Sequence, residues 1–268
     1  MTIHPTAIID PRAEVHPDVQ IGPYVVIDGP AQLAAGCRVE AHAQIVGDVR
    51  VGRDTLIGRG AVIGGTPQDL SFDPATQSGV KIGGKNVIRE HVTIHRSNKA
   101  GGFTTVGDGN FLMVGCHLGH DVQVGDKNVI ANAVLLAGHV HVGSNSFLGG
   151  GAVFHQFLRI GDYCMIQGNS SFSTDVPHYC SGFGLNLLAG LNVIGLRRAG
   201  FSAAERGEIK RLFQCIFLSG RNLSQALAEA RGQSWSPKAE RMLEFIATPT
   251  KRGIARPRNG GGDDAGEE

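Results

Sequence analysis

An aliphatic residue recurs every six positions from Ile3 onward, and this one feature constrains the fold more than any other. Stepping by six gives Ile3, Ile9, Val15, Ile21, Ile27, Leu33, Val39, Ile45, Val51, Ile57 and Ile63. The pattern breaks over Thr66 to Lys81, resumes at Ile82, Ile88 and Ile94, and is interrupted again by a six-residue insert, Ala100 to Thr105. It then runs through Val106, Leu112, Leu118, Val124, Ile130, Leu136, Val142, Leu148, Phe154, Ile160 and Ile166 to Phe172. All 26 hexads are led by an aliphatic residue or Phe, which chance does not give in a chain with 41% hydrophobic residues of every kind.

A six-residue period is the signature of a parallel β-helix. Each hexad supplies a short strand and a corner, with the aliphatic residue turned inward. Gly often follows it, as at Gly22, Gly52, Gly58, Gly119, Gly125 and Gly143, and takes corner conformations that other residues resist. The fifth position is small or β-branched, or holds Asn86, Asn110 or Asn128. Cys37, Cys116 and Cys164 fall there too and read as buried small residues. Three hexads close an 18-residue coil, so 26 hexads make between eight and nine coils, stacked at the strand spacing of about 4.8 Å. The pattern resembles the left-handed β-helix of the hexapeptide acyltransferase superfamily, and the handedness is what that resemblance implies.

The expected architecture is therefore all-β with a small helical appendage. A left-handed parallel β-helix covers 1–177 with inserts near 66–81 and 100–105, followed by a connector over 178–200. A helical C-terminal domain covers 201–251. Ser202 to Glu205 forms a capping box ahead of Ile209, Leu212, Phe213, Ile216 and Phe217 at helical spacing. Asn222 to Arg231 makes a second helix, and Ser236-Pro237 caps and opens a third. The tail over 252–268 has no core-forming residues and is expected to be disordered.

Composition narrows the function classes. A net charge of +1 gives no ground for nucleic-acid binding. No run of about 18 apolar residues marks a transmembrane segment. Acids and prolines stand where a signal peptide needs an apolar stretch, and five cysteines without paired spacing read as reduced thiols, so a cytoplasmic location is expected.

In an 18-residue coil, residues i and i+18 are neighbours. Asp121 then stacks on His139, and Gly138 lies between His120 and Gln156, with His155 adjoining. These six residues converge on one side of the prism, with the glycine leaving space beside a histidine. Other corner histidines, His4, His16, His42, His141 and His178, read as exposed polar residues. Two chemistries fit the cluster. His117, His120 and His139 form an imaginable zinc set, as in the gamma-class carbonic anhydrases that share this fold. The acid at 121 better suits orientation of a base. A neutral imidazole can take a proton from a hydroxyl attacking a thioester, and an adjacent carboxylate fixes its tautomer. A backbone N–H at Gly138 suits an oxyanion.

Ile94 to Arg96, Leu112 to Val124, Leu136 to Val140, Val153 to Phe157, Asp175 to Pro177 and Gly195 to Phe201 closely resemble the UDP-N-acetylglucosamine O-acyltransferase family, which performs the first step of lipid A synthesis. The resemblance extends in order from residue 1 to about 250. It implies a 3-hydroxyacyl transfer from acyl carrier protein to the sugar nucleotide in a homotrimer, with the site between two subunits and neither metal nor other cofactor. Carried over position by position, His120 matches the general base, Asp121 its orienting acid and Gly138 the oxyanion donor. His117, His139, His155 and Gln156 match residues that position the sugar nucleotide or acyl donor. Asp69 matches a contact to the glucosamine end, Asn192 and Arg198 match residues near the nucleotide and its phosphates, and Gly168 matches the position that limits the acyl tunnel.

The chain departs from the family pattern at Ser71 (usually Lys), Ile194 (usually acidic) and Ala199 (usually Arg), and along Ser181 to Leu191. These positions bear on the acceptor and the acyl tail. They keep open an N-acyltransferase acting on a 3-amino sugar nucleotide, and a non-catalytic trimeric scaffold is the alternative outside enzymes.

Overall fold

The computed structural model describes residues 2–258. Each hexad contributes a strand of two to four residues and a corner. Consecutive strands pass to three sheets in turn. Thr2–Ile3 begins the first, Ile8–Ile9 the second and Glu14–Val15 the third, and Gln20–Ile21 returns to the first. Within a sheet the repeats pair in parallel, Thr2 opposite Gln20 and Ile3 opposite Ile21. Through Ser171–Phe172 the described residues hold 26 strands, one per hexad. The protein is thus mostly β, built on three parallel sheets, with few helices.

The two-residue strand explains the sequence period. One residue points out and one points in, as in Gln20–Ile21 and Arg38–Val39, where only the aliphatic member is buried. Ile21, Ile57, Val124 and Ile160 join one continuous core. At the N-terminal end, where no coil lies beneath, Ile3 remains 37% exposed.

A polar column runs through one edge of this core. Asn110 and Asn128 each donate a backbone N–H at 2.8 Å to the amide oxygen of the previous asparagine, Asn86 and Asn110 respectively. Their side-chain amides donate to the carbonyls of Gly125 and Gly143. Ser146 continues the column by donating its N–H to Asn128 Oδ1 at 2.9 Å. Each buried amide is thereby satisfied within the wall.

Both inserts are narrower than expected. Gly79–Ile82 and Phe103–Val106 are strands that pair with one another, and the former also pairs with Asp48–Val51. Val80 and Thr104 are fully buried, so the last residues of each insert widen the third sheet. The second insert also lengthens one coil: Thr93 lies opposite His117, 24 positions on.

The expected connector over 178–200 is structured instead. Cys180–Phe183 extends the first sheet beyond Met165–Ile166 and turns back as an antiparallel hairpin with Leu187–Leu191. Helix α1 follows at Val193–Arg198. Tyr179, Cys180, Leu188 and Leu196 are buried here because the last coil has an apolar end to cover. His178, expected as an exposed corner residue, is buried. Its Nδ1 accepts the Asp162 N–H at 2.6 Å and its ring meets Phe245 edge-on.

Helices α2 (Ala203–Phe217), α3 (Leu223–Arg231) and α4 (Pro237–Ala247) pack beside the coil's end. Ser202 with Glu205, and Asn222 with Gln225, form capping boxes. The hydroxyl of Ser236 makes no capping bond, contrary to expectation, and Pro237 alone shapes that start. Arg159 fastens the helices to the coil. It donates to the fully buried Asp175 at 2.9 Å and to the Phe245 carbonyl at 3.1 Å. The start of the expected disordered tail is also placed. Arg256–Pro257 pairs with Leu187 and Leu188, and Ala255 is buried and donates its N–H to the Asp175 carbonyl. Residues 259–268 lie outside the described residues. Among the described residues, no helix is long and apolar enough to cross a membrane.

Candidate active site

The histidine cluster sits at the corner between the second and third sheets. Asp121, His139 and Phe157 occupy equivalent places in three successive coils, and all have positive φ, between 60° and 66°. That left-handed geometry turns the chain sharply and aims consecutive side chains outward together. His139 stacks flat on Phe157 with centroids 4.5 Å apart, and His120 meets His139 edge-on at 5.0 Å.

His120 Nδ1 lies 2.9 Å from Asp121 Oδ2, with both side chains largely covered. Asp121 is itself held: Ser97 Oγ donates to Oδ1 at 2.6 Å, and the Asn98 N–H donates to Oδ2 at 3.1 Å. Burial pushes the Asp121 carboxyl upward, but the Ser97 hydroxyl, His120 and the Asn98 N–H together hold it below the usual carboxylate range. The acid is charged at neutral pH and faces an imidazole nitrogen. That fixes the His120 tautomer with its proton on Nδ1, leaving Nε2 free to accept a proton.

Gly138 lies where Nε2 points. A Cβ on this residue would stand 2.6 Å from both Nε2 and Cε1 of His120. Only glycine leaves the ring in place. The adjoining cleft of about 510 Å³ is lined by His95, His117, His120, Gly138, His155 and Gln156 among others. His117 Nδ1 lies 2.7 Å from Thr93 Oγ1, and burial lowers its pKa. Burial likewise lowers that of His139, against the pull of Asp121. His155 is exposed, with Nδ1 3.3 Å from the Gln156 carbonyl.

Asp69 belongs to the loop beside this cleft. Its Oδ1 accepts from the hydroxyl of Ser71 at 2.7 Å and from the Ser71 N–H at 2.9 Å, and its Oδ2 accepts from the Asn98 amide at 3.1 Å. The Ser71 hydroxyl is the chief cause of the lowered Asp69 pKa. The departure at Ser71 therefore leaves an ionised carboxylate with a neutral partner.

Six expected residues are not part of the cleft lining: Asp121, His139 and Asp69 lie behind or beside it, and Gly168, Asn192 and Arg198 stand farther off. Gly168 is at the corner between the first and second sheets, across the face of the second sheet from His120. Asn192 caps α1, accepting from the Gly195 N–H and donating to the Tyr163 carbonyl. Arg198 is exposed at the last turn of α1.

The imagined zinc set does not assemble, since His117 turns to Thr93. The potential ligand atoms that do converge within 4.8 Å belong to His120, Asp121 and His139. Three donors already crowd that carboxylate, which favours the acid–base arrangement. Sequence reasoning missed His95, Ser97 and Asn98. Burial, then His117 and His120, push the His95 pKa down to about 4, so this ring is uncharged at neutral pH.

The chain is similar to known proteins over nearly its whole length. A family model described as Udp N-acetylglucosamine O-acyltransferase, domain 2, matches residues 175–255. The acyl-(acyl-carrier-protein)–UDP-N-acetylglucosamine O-acyltransferase of Syntrophobacter fumaroxidans is 41% identical over 261 residues, covering 96% of this chain and 100% of the relative. The solved UDP-N-acetylglucosamine acyltransferase of Francisella novicida superposes with a TM-score of 0.91 at 30% identity, over 96% of this chain and 95% of that one. The Acinetobacter baumannii enzyme of the same kind superposes at 0.89 with 37% identity, over 96% of this chain and all of that one. Identity at this level over nearly the whole chain leaves one assignment: the chain belongs to the acyl-(acyl-carrier-protein)–UDP-N-acetylglucosamine O-acyltransferase family.

Proposed function

We infer that this chain moves a 3-hydroxyacyl group from acyl carrier protein to the 3-hydroxyl of UDP-N-acetylglucosamine, the first step of lipid A synthesis. The observation that carries the reading is the His120–Asp121 pair at 2.9 Å, aimed into a cleft at the one position where glycine leaves room. His120 Nε2 takes the proton as the sugar oxygen bonds to the thioester carbonyl carbon. Asp121 stabilises the imidazolium that results. The carbonyl oxygen becomes an oxyanion, and the Gly138 N–H, which meets no backbone acceptor among the described residues, is the donor for it. Collapse of the tetrahedral intermediate breaks the carbon–sulfur bond. His120 returns its proton to the departing thiolate, and an ester and a free thiol remain.

The thioester is already activated, so this chemistry needs neither metal nor other cofactor. His117, His139, His155, Gln156 and Asp69 bind the sugar nucleotide and acyl donor. Asn192, Arg198 and Gly168 stand away from the cleft of their own chain, and a neighbouring copy in a homotrimer brings them to it. The coil is a left-handed β-helix, with its positive-φ corners carrying residues such as Asp121 and Asn169, and the protein works in the cytoplasm.

Incubation with 3-hydroxyacyl carrier protein and UDP-N-acetylglucosamine is the test, and an O-acylated sugar nucleotide is the expected product. A second arm offers the 3-amino analogue, because Ser71 leaves Asp69 without a cationic neighbour in its loop. Acylation of the amine alone would replace the oxygen acceptor with nitrogen, and no product in either arm would end the reading.

A further inference from the structure

The turn after Thr93–His95 lies behind the base and touches two acids from different loops. Ser97 is fully buried, and its hydroxyl donates to Asp121 Oδ1 at 2.6 Å. Asn98 faces both ways. Its N–H donates to Asp121 Oδ2 at 3.1 Å, and its side-chain amide donates to Asp69 Oδ2 at 3.1 Å. On the far side, Thr104 Oγ1 accepts the Asp121 N–H at 2.9 Å and fixes the backbone.

A carboxylate is aimed only if both oxygens are held. Ser97 and Asn98 occupy one oxygen each, which leaves the remaining direction on Oδ2 for His120 Nδ1. Without Ser97, Oδ1 stays buried with its donor gone, and the carboxylate gains by rotating away from the imidazole. We propose that Ser97 and Asn98 are positioning residues: Ser97 aims Asp121 at His120, and Asn98 ties Asp121 to Asp69, so that the base and the sugar-binding loop are set as one unit. The inference rests on the reading of His120–Asp121 as the base and its orienting acid. Ser97 Oγ also accepts the Lys99 N–H at 3.0 Å. A purely local turn-forming role for Ser97 is therefore the competing account.

The two accounts part in a double-mutant cycle. Ser97→Ala is expected to lower kcat on the order of tenfold, the scale of one hydrogen bond to a charged group. Ser97→Cys, which keeps the volume with a weak donor, should lose about as much while melting like the parent. In an Asp121→Asn background, Ser97→Ala should add less than about twofold, since its partner is already altered. Asn98→Ala retains the backbone N–H and loses the tie to Asp69. It should raise KM for UDP-N-acetylglucosamine more than it lowers kcat, and non-additively with Asp69→Ala. Additive losses for Ser97 and Asp121, parent-like turnover in Ser97→Cys, or an unmoved KM in Asn98→Ala would overturn the inference while leaving the base in place. Parent-like turnover in Asp121→Asn alone would overturn the base assignment and the inference together.

Discussion

Gly138→Ala isolates the position of His120, the proposed base, from the other contributions to rate. The new methyl would stand 2.6 Å from Nε2 and Cε1 of His120, and ordinary contact begins near 3.4 Å, so the ring must retreat by about 0.8 Å. It cannot slide freely, being bonded to Asp121 at 2.9 Å and packed on His139 at 5.0 Å. A displacement of about 1 Å at a reacting group costs on the order of 10²-fold in rate, so kcat should fall by roughly that factor. Alanine keeps the backbone N–H, and the loss is not one of the oxyanion donor. The atoms that yield belong to a side chain at a corner, so the melting temperature should move little. Gly119→Ala is the contrast, because its methyl would meet the backbone nitrogen of Gly138 at 2.8 Å. There the coil itself must give, and the melt should drop. Steady-state turnover with 3-hydroxyacyl carrier protein, beside thermal melts of both variants, decides the matter. Turnover above half the parent value in Gly138→Ala would refute the claim that the ring must stand where it does.

Replacing His120 with Ala should lower turnover by about 10²- to 10⁴-fold with the melt nearly unchanged, and Asp121→Asn should cost less; parent-like turnover in His120→Ala would move the role to His139. His95 is neutral in the fold with its pKa pushed down to about 4, whereas the unfolded chain protonates near its ordinary value of about 6.5. Stability should therefore decline as pH falls from about 6.5 to about 4 and level off below; the decline in melting temperature should be shallower in His95→Gln, and equal slopes would count against it. Gly168→Met should shift preference toward shorter acyl chains, read as product ratios in a mixed-donor assay, and should also lower the melt, since even a Cβ there stands 2.9 Å from the Gly150 carbonyl. Analytical ultracentrifugation at micromolar concentration should give a trimer, and a monomer would speak against a shared site.

The coil was legible because its period is covalent: each inward aliphatic residue is six residues of chain from the next, and stacking at 18 residues follows. The same arithmetic placed Asp121 by His139 and Gly138 by His120. It failed where the coil changes length. Ser97 is 24 residues from Asp121, not 18, because the insert at Ala100 to Thr105 adds six. Counting the insert into the coil would have found it. His178 misled differently, since a corner residue is exposed only if nothing docks on it, and Phe245 of α4 does. The hairpin at Cys180–Phe183 and the pairing of Arg256–Pro257 had no periodic signal at all. They arise from the need to cover the last coil, a demand of the assembled shape that no local stretch of residues carries.

The asparagine column bears on how such a chain finds its own thread. Its hexads are near copies, and a chain wound six residues out of step would still enclose an aliphatic interior. Hydrophobicity alone scarcely distinguishes the right winding from the wrong one. Asn86, Asn110 and Asn128 do, because each reaches the carbonyls it needs only along one edge and in one order. Shifted by a hexad, each amide would lose its partner in the next coil, and a buried hydrogen bond lost in this way costs about 1–3 kcal/mol. Three such errors approach the whole stability of a typical domain. The column acts as a proofreading mark, rejecting mis-threaded coils that the oily interior would accept.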